Sequence, residues 1–281
     1  MLRRKRISTI LLTLLKCVVA VIMFFPIIWI VSSSFKSLVE VSQFPPSIFP
    51  KVVQWENFTR ILQEESFYRY LRNTLLLIVG TTAGTLLSSS LVAYPLARME
   101  FKGKNFFFAL IVATMLVPGI SLIIPQYKMF GQLGWLDTLL PMIIPAWFGY
   151  PYNIFLFRQF FRSIPRELDE AASIDGCSRI RTFFQVLAPL SVSTYVTIGV
   201  LSAVYWWNEL TQPIIYLNRD TWRPLTVAMM SHYQHFGDNP FTTTWHTLMA
   251  ASTLMIIPPM LLYLFGSKYL VEGIKTSGMK G

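Results

Sequence analysis

The sequence predicts an all-α polytopic membrane protein, and three observations carry that prediction. Of 281 residues, 53% are hydrophobic and only 14% are charged, which leaves too little polar surface to coat a water-soluble globule. Several apolar runs reach the roughly 20 residues that an α-helix needs to cross about 30 Å of hydrocarbon. The excess of basic residues, a net charge of +10, segregates by loop as the positive-inside rule requires of a multi-pass chain.

The first run, Ile10 to Val31, follows Arg3, Arg4, Lys5 and Arg6. It is too long for a secretory signal, and Phe24, Phe25, Pro26 and Trp29 stand where small residues would mark cleavage, so a retained span is expected. Further spans are expected at Leu71 to Ala97, Phe106 to Pro125, Leu139 to Phe157, Leu190 to Glu209 and Thr247 to Gly266. With the N-terminus in the cytosol, the inner segments collect Arg98, Lys102, Lys104, Arg158, Arg162, Arg166, Arg179, Arg181, Lys268 and Lys275. Both termini are then cytosolic. Cations scattered over loops, with no soluble domain to carry a binding face, exclude nucleic acid as a partner. The chain reads as one transmembrane domain over residues 1–281: the first span and outer segment to about 70, a core over about 71–266, and a cytosolic tail over 267–281.

Two expectations concern packing. Gly80, Ala83, Gly84, Ser88, Ser89 and Ser90 in the second span let neighbouring backbones approach closely. Pro118, Pro125, Pro141, Pro145 and Pro151 each remove a backbone donor and kink the third and fourth spans; these kinks suit either irregular packing or helices bent around a water-accessible path. Outside the spans, Phe44-Pro45-Pro46 and the stretch from Trp55 to Leu71 predict turns and an interfacial amphipathic helix. The region from Leu210 to Trp245 predicts an irregular outer loop with short helical turns. Cys17 lies in a span and Cys177 in a cytosolic loop, which argues against a disulfide.

The polar segment between the fourth and fifth spans concentrates the chemistry. Pro165 suits a first helical turn, Glu167, Asp169 and Glu170 complement its N-terminal dipole, and Gly176 offers a left-handed stop. A helix of about three turns from Pro165 to Asp175 is expected. Ser178 is placed to cap a second helix that continues past Pro189 into the fifth span. On the first helix Leu168, Ala171, Ala172 and Ile174 form a small apolar face flanked by Glu167 and Glu170, suited to docking in a groove that offers a cation.

Glu170-Ala171-Ala172, then Gly176, Val186 and Ala188-Pro189 resembles the cytosolic loop, the EAA motif, of membrane subunits of binding-protein-dependent ATP-binding-cassette importers. Val186 and Ala188 replace the family's Ile and Leu and keep its apolar character. Ile164-Pro165-Arg166-Glu167-Leu168, Trp207-Asn208-Glu209 and the tail Tyr269-Leu270-Val271-Glu272-Gly273-Ile274-Lys275 are similar to the maltose-type carbohydrate permeases, specifically the shorter six-span subunit. The resemblance covers nearly the whole chain and implies a type I importer permease fold in the bacterial cytoplasmic membrane. It implies a coupling helix in which Glu170, Ala171, Ala172, Asp175, Gly176 and Pro189 transmit movement from an ATPase, and a tail whose Val271, Glu272, Gly273 and Lys275 contact it. Read without the resemblance, the tail is a solvated terminus. The implied partners are a sister permease, two ATP-binding-cassette subunits, an extracytoplasmic solute-binding protein and a carbohydrate, with an oligosaccharide favoured over a polyol phosphate or peptide.

No phosphate-binding loop of the form G-x-x-x-x-G-K-[ST] occurs, so ATP and magnesium are expected in partner subunits and no cofactor here. No nucleophile, base and orienting group form a set, and no repeated selectivity segment is visible, which disfavours a membrane enzyme or a channel. His232, His235 and His246 lack the further ligands of a metal site. Tyr205, Trp206, Trp207, Asn208 and Glu209 close the fifth span, where they fit either an interfacial aromatic belt or a sugar-stacking surface on the substrate path.

Overall fold

The computed structural model describes residues 2–233 and 245–278, with side chains over 11–231 and 245–269. The described secondary structure is helical: α1 (Leu2–Ser34), α2 (Leu38–Val41), α3 (Glu56–Gln63), α4 (Glu65–Arg98), α5 (Lys104–Thr114), α6 (Ile123–Gln132), α7 (Leu140–Ala146), α8 (Pro151–Ser163), α9 (Glu167–Ile174), α10 (Arg179–Thr182), α11 (Ala188–Leu190), α12 (Val192–Asn208), α13 (Thr211–Tyr216), α14 (Leu225–Tyr233) and α15 (Trp245–Gly278). Among the described residues, three helices are each long and apolar enough to cross a bilayer: α1 over Leu11–Ser34, α4, and α15 over Trp245–Tyr269. Two bent pairs raise the number to five. At about 1.5 Å per residue, the 34 residues of α4 outreach the hydrocarbon, so both of its ends project.

The prolines break the helices more sharply than a kink. Lys104–Thr114 and Gly119–Gln132 meet at 87°, across a break that ends at Pro118, which has no N–H to continue the ladder. The expected fourth span, Leu139 to Phe157, is divided between α7 and α8. Pro141 and Pro151 each stand in a first turn, the position a proline tolerates, and Gly149 between the two helices has φ 87°.

The chain forms two compact units, residues 1–68 with 229–258, and residues 69–228 with 259–281. In the first, the segment after α1 is held by buried polar groups. Asn57 Nδ2 donates to the carbonyls of Ser34 (2.8 Å) and Lys36 (3.0 Å). Glu40 accepts from the Lys51 N–H at 2.8 Å, and Ser32 Oγ donates to the Ile48 carbonyl. Lys36 donates to the Ser47 carbonyl at 2.6 Å and lies over the Trp29 ring. Its burial pushes the ammonium below the usual lysine range, against the pull of Glu40.

In the second unit, α4 contributes to two apolar clusters. Leu77 packs with Phe130, Leu139, Met142, Trp206 and Tyr216. Ala93, Tyr94, Leu96 and Ala97 pack with Ile154, Phe157, Phe161, Phe183, Leu187 and Ile198. The small residues of α4 do what their size predicts. A Cβ at Gly80 would lie 3.1 Å from Ile143 and one at Gly84 2.6 Å from the Trp147 ring, while Ser88 Oγ donates to the Ala146 carbonyl at 3.1 Å. The start of α4 is stitched to the region after α13: Arg69 and Tyr70 reach Asp220 (2.5 and 2.8 Å), Asn73 Nδ2 donates to the carbonyls of Thr221 and Arg223, and Thr74 accepts from the Leu225 N–H.

Candidate functional site

The polar segment between α8 and α12 forms two short arms. The first, α9, starts two residues after Pro165 and stops where the sequence places its stop. The Gly176 N–H donates to the Ser173 carbonyl at 3.1 Å and the Cys177 N–H to the Ala172 carbonyl at 2.9 Å, with Gly176 at φ 77°. This pair of bonds is a Schellman closure. The second arm opens on Ser178, whose side chain accepts from the Arg181 N–H. It runs through α10, a π turn over Phe183–Leu187 and α11. The π turn ends two residues before Pro189, whose missing N–H rules out the ordinary bond four residues back.

The second arm passes into the fifth span, though not straight. Arg179–Leu190 and Val192–Asn208 meet at 76°, and the corner is Ser191, fully buried with its hydroxyl donating to the Leu187 carbonyl at 2.6 Å. Phe183 and Leu187 root this arm in the unit's core. Phe183 lies 5.3 Å from Tyr94 and 6.2 Å from Phe161, ring to ring.

The first arm has two sides, and this corrects the apolar face expected of it. Ala172 is buried against its own unit and is not open to a partner. Asp169, one turn earlier, faces the same way and lies 3.3 Å from Arg98 at the end of α4. Arg98 is only 4% exposed and also donates to the Ile164 carbonyl at 2.8 Å. Glu170, Ala171, Asp175, Gly176 and Pro189 are exposed, and beside them stand three bare apolar side chains, Leu168 at 38%, Ile174 at 86% and Ile180 at 71% exposure. The arm is therefore clamped on one side and greasy on the other. Sequence reasoning placed Asp169 only at the helix dipole and missed its ion pair, because no local signal records a partner on a different helix.

The residues at the end of the fifth span do not act as a group. Trp206 and Trp207 are buried, Trp206 within the cluster around Leu77, so their ring faces are spent on packing. Tyr205 is half-exposed, Asn208 is exposed, and Glu209 accepts from the Gln212 N–H at 3.0 Å to open α13. Gly273 falls within α15; the side chains of Val271, Glu272, Lys275 and His232, and all of His235, lie outside what the structure describes. Among the described residues no group of three or more His, Cys, Asp or Glu gathers as a metal site would need.

Comparison with known proteins places these features. Residues 80–276 match the family of binding-protein-dependent transport system inner membrane components. The chain is 35% identical to the probable ABC transporter permease protein YurM of Bacillus subtilis (strain 168), over 92% of this chain and 84% of that one. It is 30% identical to the arabinooligosaccharides transport system permease protein AraQ of the same organism, over 97% and 96%. Identity is also 30% to the trehalose/maltose transport system permease protein MalG of Thermococcus litoralis, over the full length of both. A chain in the crystal structure of a bacterial ABC transporter that imports the acidic polysaccharide alginate superposes with a TM-score of 0.84 at 26% identity, covering 95% of this chain and 98% of that one. A bundle of long and broken apolar helices, carrying a polar two-armed projection and matched end to end by such proteins, belongs to the inner membrane components of binding-protein-dependent transport systems: it is an ABC importer permease subunit and not an enzyme.

Proposed function

We propose that this chain is one of two unlike membrane subunits of an ATP-driven carbohydrate importer, that its cargo is an oligosaccharide, and that α9 is the rod by which ATP-binding subunits work the pathway. The carbohydrate reading is supported by the cargoes named for AraQ, MalG and the alginate transporter. The coupling reading rests on one observation above all: a polar projection holds Leu168, Ile174 and Ile180 bare beside the carboxylates of Glu167 and Glu170. Exposed apolar side chains brought together on a polar projection suit a surface that a partner covers.

The sister permease completes the path, a solute-binding protein delivers cargo from outside, and two ATP-binding subunits supply ATP and magnesium chemistry. Both termini and α9 lie on the cytosolic side, as the distribution of cations supports. Closure of the ATP-binding subunits displaces α9. The movement passes through the Gly176 stop to the second arm, and through the Ser191 corner to α12, because packed elements move as bodies. Of the residues at the end of α12, the exposed Tyr205 and Asn208 are left to face the path, Glu209 being engaged at the start of α13, and the tail over 271–275 contacts the ATP-binding subunits.

Glu170→Lys and Ile174→Glu test the reading in a reconstituted importer. Each is expected to lower cargo-stimulated ATPase at least about tenfold, the equivalent of about 1.4 kcal/mol of docking energy, while this chain and its sister permease still assemble. Unchanged stimulation in both variants would overturn it.

A further inference from the structure

Between the end of α4 and the end of α8 lies an open cavity of about 390 Å³ whose lining includes Lys104, Arg158, Arg162, Arg166 and a single carboxylate, Glu100. The carboxylate does not neutralise this set. It is 3.4 Å from Lys104 and 3.5 Å from Arg166, both beyond the usual length of a charge-assisted bond. Arg162 makes no hydrogen bond or ion pair among the described residues. Arg158 is 8% exposed. Its Nε donates to the Leu96 carbonyl at 3.1 Å and its guanidinium carbon lies over the Phe108 ring, 3.6 Å from the centroid. These two contacts hold the guanidinium in place, and no acceptor among the described residues meets its two Nη atoms.

We infer that this cavity binds a phosphate group, and that the phosphate belongs to an anionic phospholipid of the inner leaflet. A held guanidinium with free Nη donors, joined by a free arginine and by Lys104, whose ammonium also donates to the Met99 carbonyl at 2.7 Å, matches the oxygens of a phosphodiester. The lipid source is favoured by the neighbouring surface. Phe106, which lines the cavity, is 68% exposed and Phe107 beside it 52%, at the start of α5, so acyl chains have an apolar wall next to the headgroup site. A free anion needs no such wall. The bound headgroup would tie the α4–α5 turn to the root of α9, since Arg166 immediately precedes that helix.

The inference rests on the proposed orientation, in which this end of the bundle faces the cytosol. The full chain in nanodiscs containing phosphatidylglycerol and phosphatidylcholine is extracted with detergent, and retained lipid is counted by native mass spectrometry. Wild type is expected to retain phosphatidylglycerol and not phosphatidylcholine. Arg162→Ala is expected to lower retention about fivefold, and adding Arg158→Gln to lower it about fivefold again, from roughly 1 kcal/mol for each basic residue near an anionic surface. Arg162 is exposed, so its variant folds; Arg166→Ala replaces the double variant if that fails to assemble. Equal retention by wild type and Arg162→Ala, or equal retention of the two lipids, overturns the inference. Saturable binding of inorganic phosphate without phosphatidylglycerol retention assigns the cavity to a free anion and overturns the lipid source. A Lys102→Cys variant in a background with Cys17→Ser and Cys177→Ser, labelled by an impermeant maleimide in intact cells, would overturn the orientation alone, leaving the lipid count to judge the cavity.

Discussion

Asp169 and Arg98 show how one residue pair fixes the geometry of a projecting helix. Arg98 is almost wholly sheltered and Asp169 is 27% exposed, so removing the carboxylate strands a cation that cannot move to water. A fully buried pair broken this way costs about 3–5 kcal/mol. The partial exposure of Asp169 lowers the expected cost of Asp169→Ala to about 2 kcal/mol, read as a loss of thermal stability in detergent. The double variant Arg98→Met, Asp169→Leu is expected to recover part of that loss, because replacing both charges removes the stranded cation. Equal melting temperatures for wild type and Asp169→Ala would show that the pair does not hold α9. Residues of this kind were the least legible in the sequence. Ser178 and Gly176 announced their roles because a cap and a left-handed stop act on backbone a few residues away. Asp169 did not, and neither did the burial of Trp206 and Trp207, because a tryptophan at the end of a span reads alike whether lipid, sugar or protein covers it.

Elements were legible where the pattern was long or the chemistry local. The apolar runs of α1, α4 and α15 and the two-armed polar segment follow from composition and caps, and the small residues of α4 followed from size. What remained hidden was direction. Proline at 118 predicted a kink and the second helix was expected to run on past Pro189 into the fifth span, whereas the turns of 87° and 76° are set by what each half packs against. The contact of α4 with Trp147 gives a test at this scale. In an open helix, Gly→Ala gains about 1 kcal/mol of propensity; at Gly84 the added carbon would meet the Trp147 ring at 2.6 Å, and overpacking costs about 1–3 kcal/mol. Crowding wins, so Gly84→Ala is expected to be neutral to destabilising by up to about 2 kcal/mol and Gly84→Leu strongly so. Gly119→Ala, where nothing lies within 4 Å, is the control expected to behave as wild type. A Gly84→Leu protein with unaltered melting would show that the two helices do not pack this tightly.

The whole molecule is one part of a larger machine, and its surface says so. None of the most apolar stretch of α1 is buried within the chain, and only 11% of that of α15, so lipid or another membrane subunit must cover them. The membrane class was readable from composition alone. The carbohydrate class was readable only through the likeness of Trp207-Asn208-Glu209 and the tail to carbohydrate permeases, since substrate-facing residues depend on the bends in the helices. The full-length relatives bear that likeness out.

Bare isoleucines at 174 and 180 also bear on the lifetime of a subunit made in excess. An orphan copy would display a sticky patch to chaperones and membrane proteases, and only incorporation would hide it. Pulse-chase of the chain expressed alone is expected to show faster turnover than in the full assembly, with Ile174→Ser, Ile180→Ser slowing it; identical half-lives would count against this. On the proposed coupling role, the same side chains would also police stoichiometry, sparing the cell an unpartnered subunit.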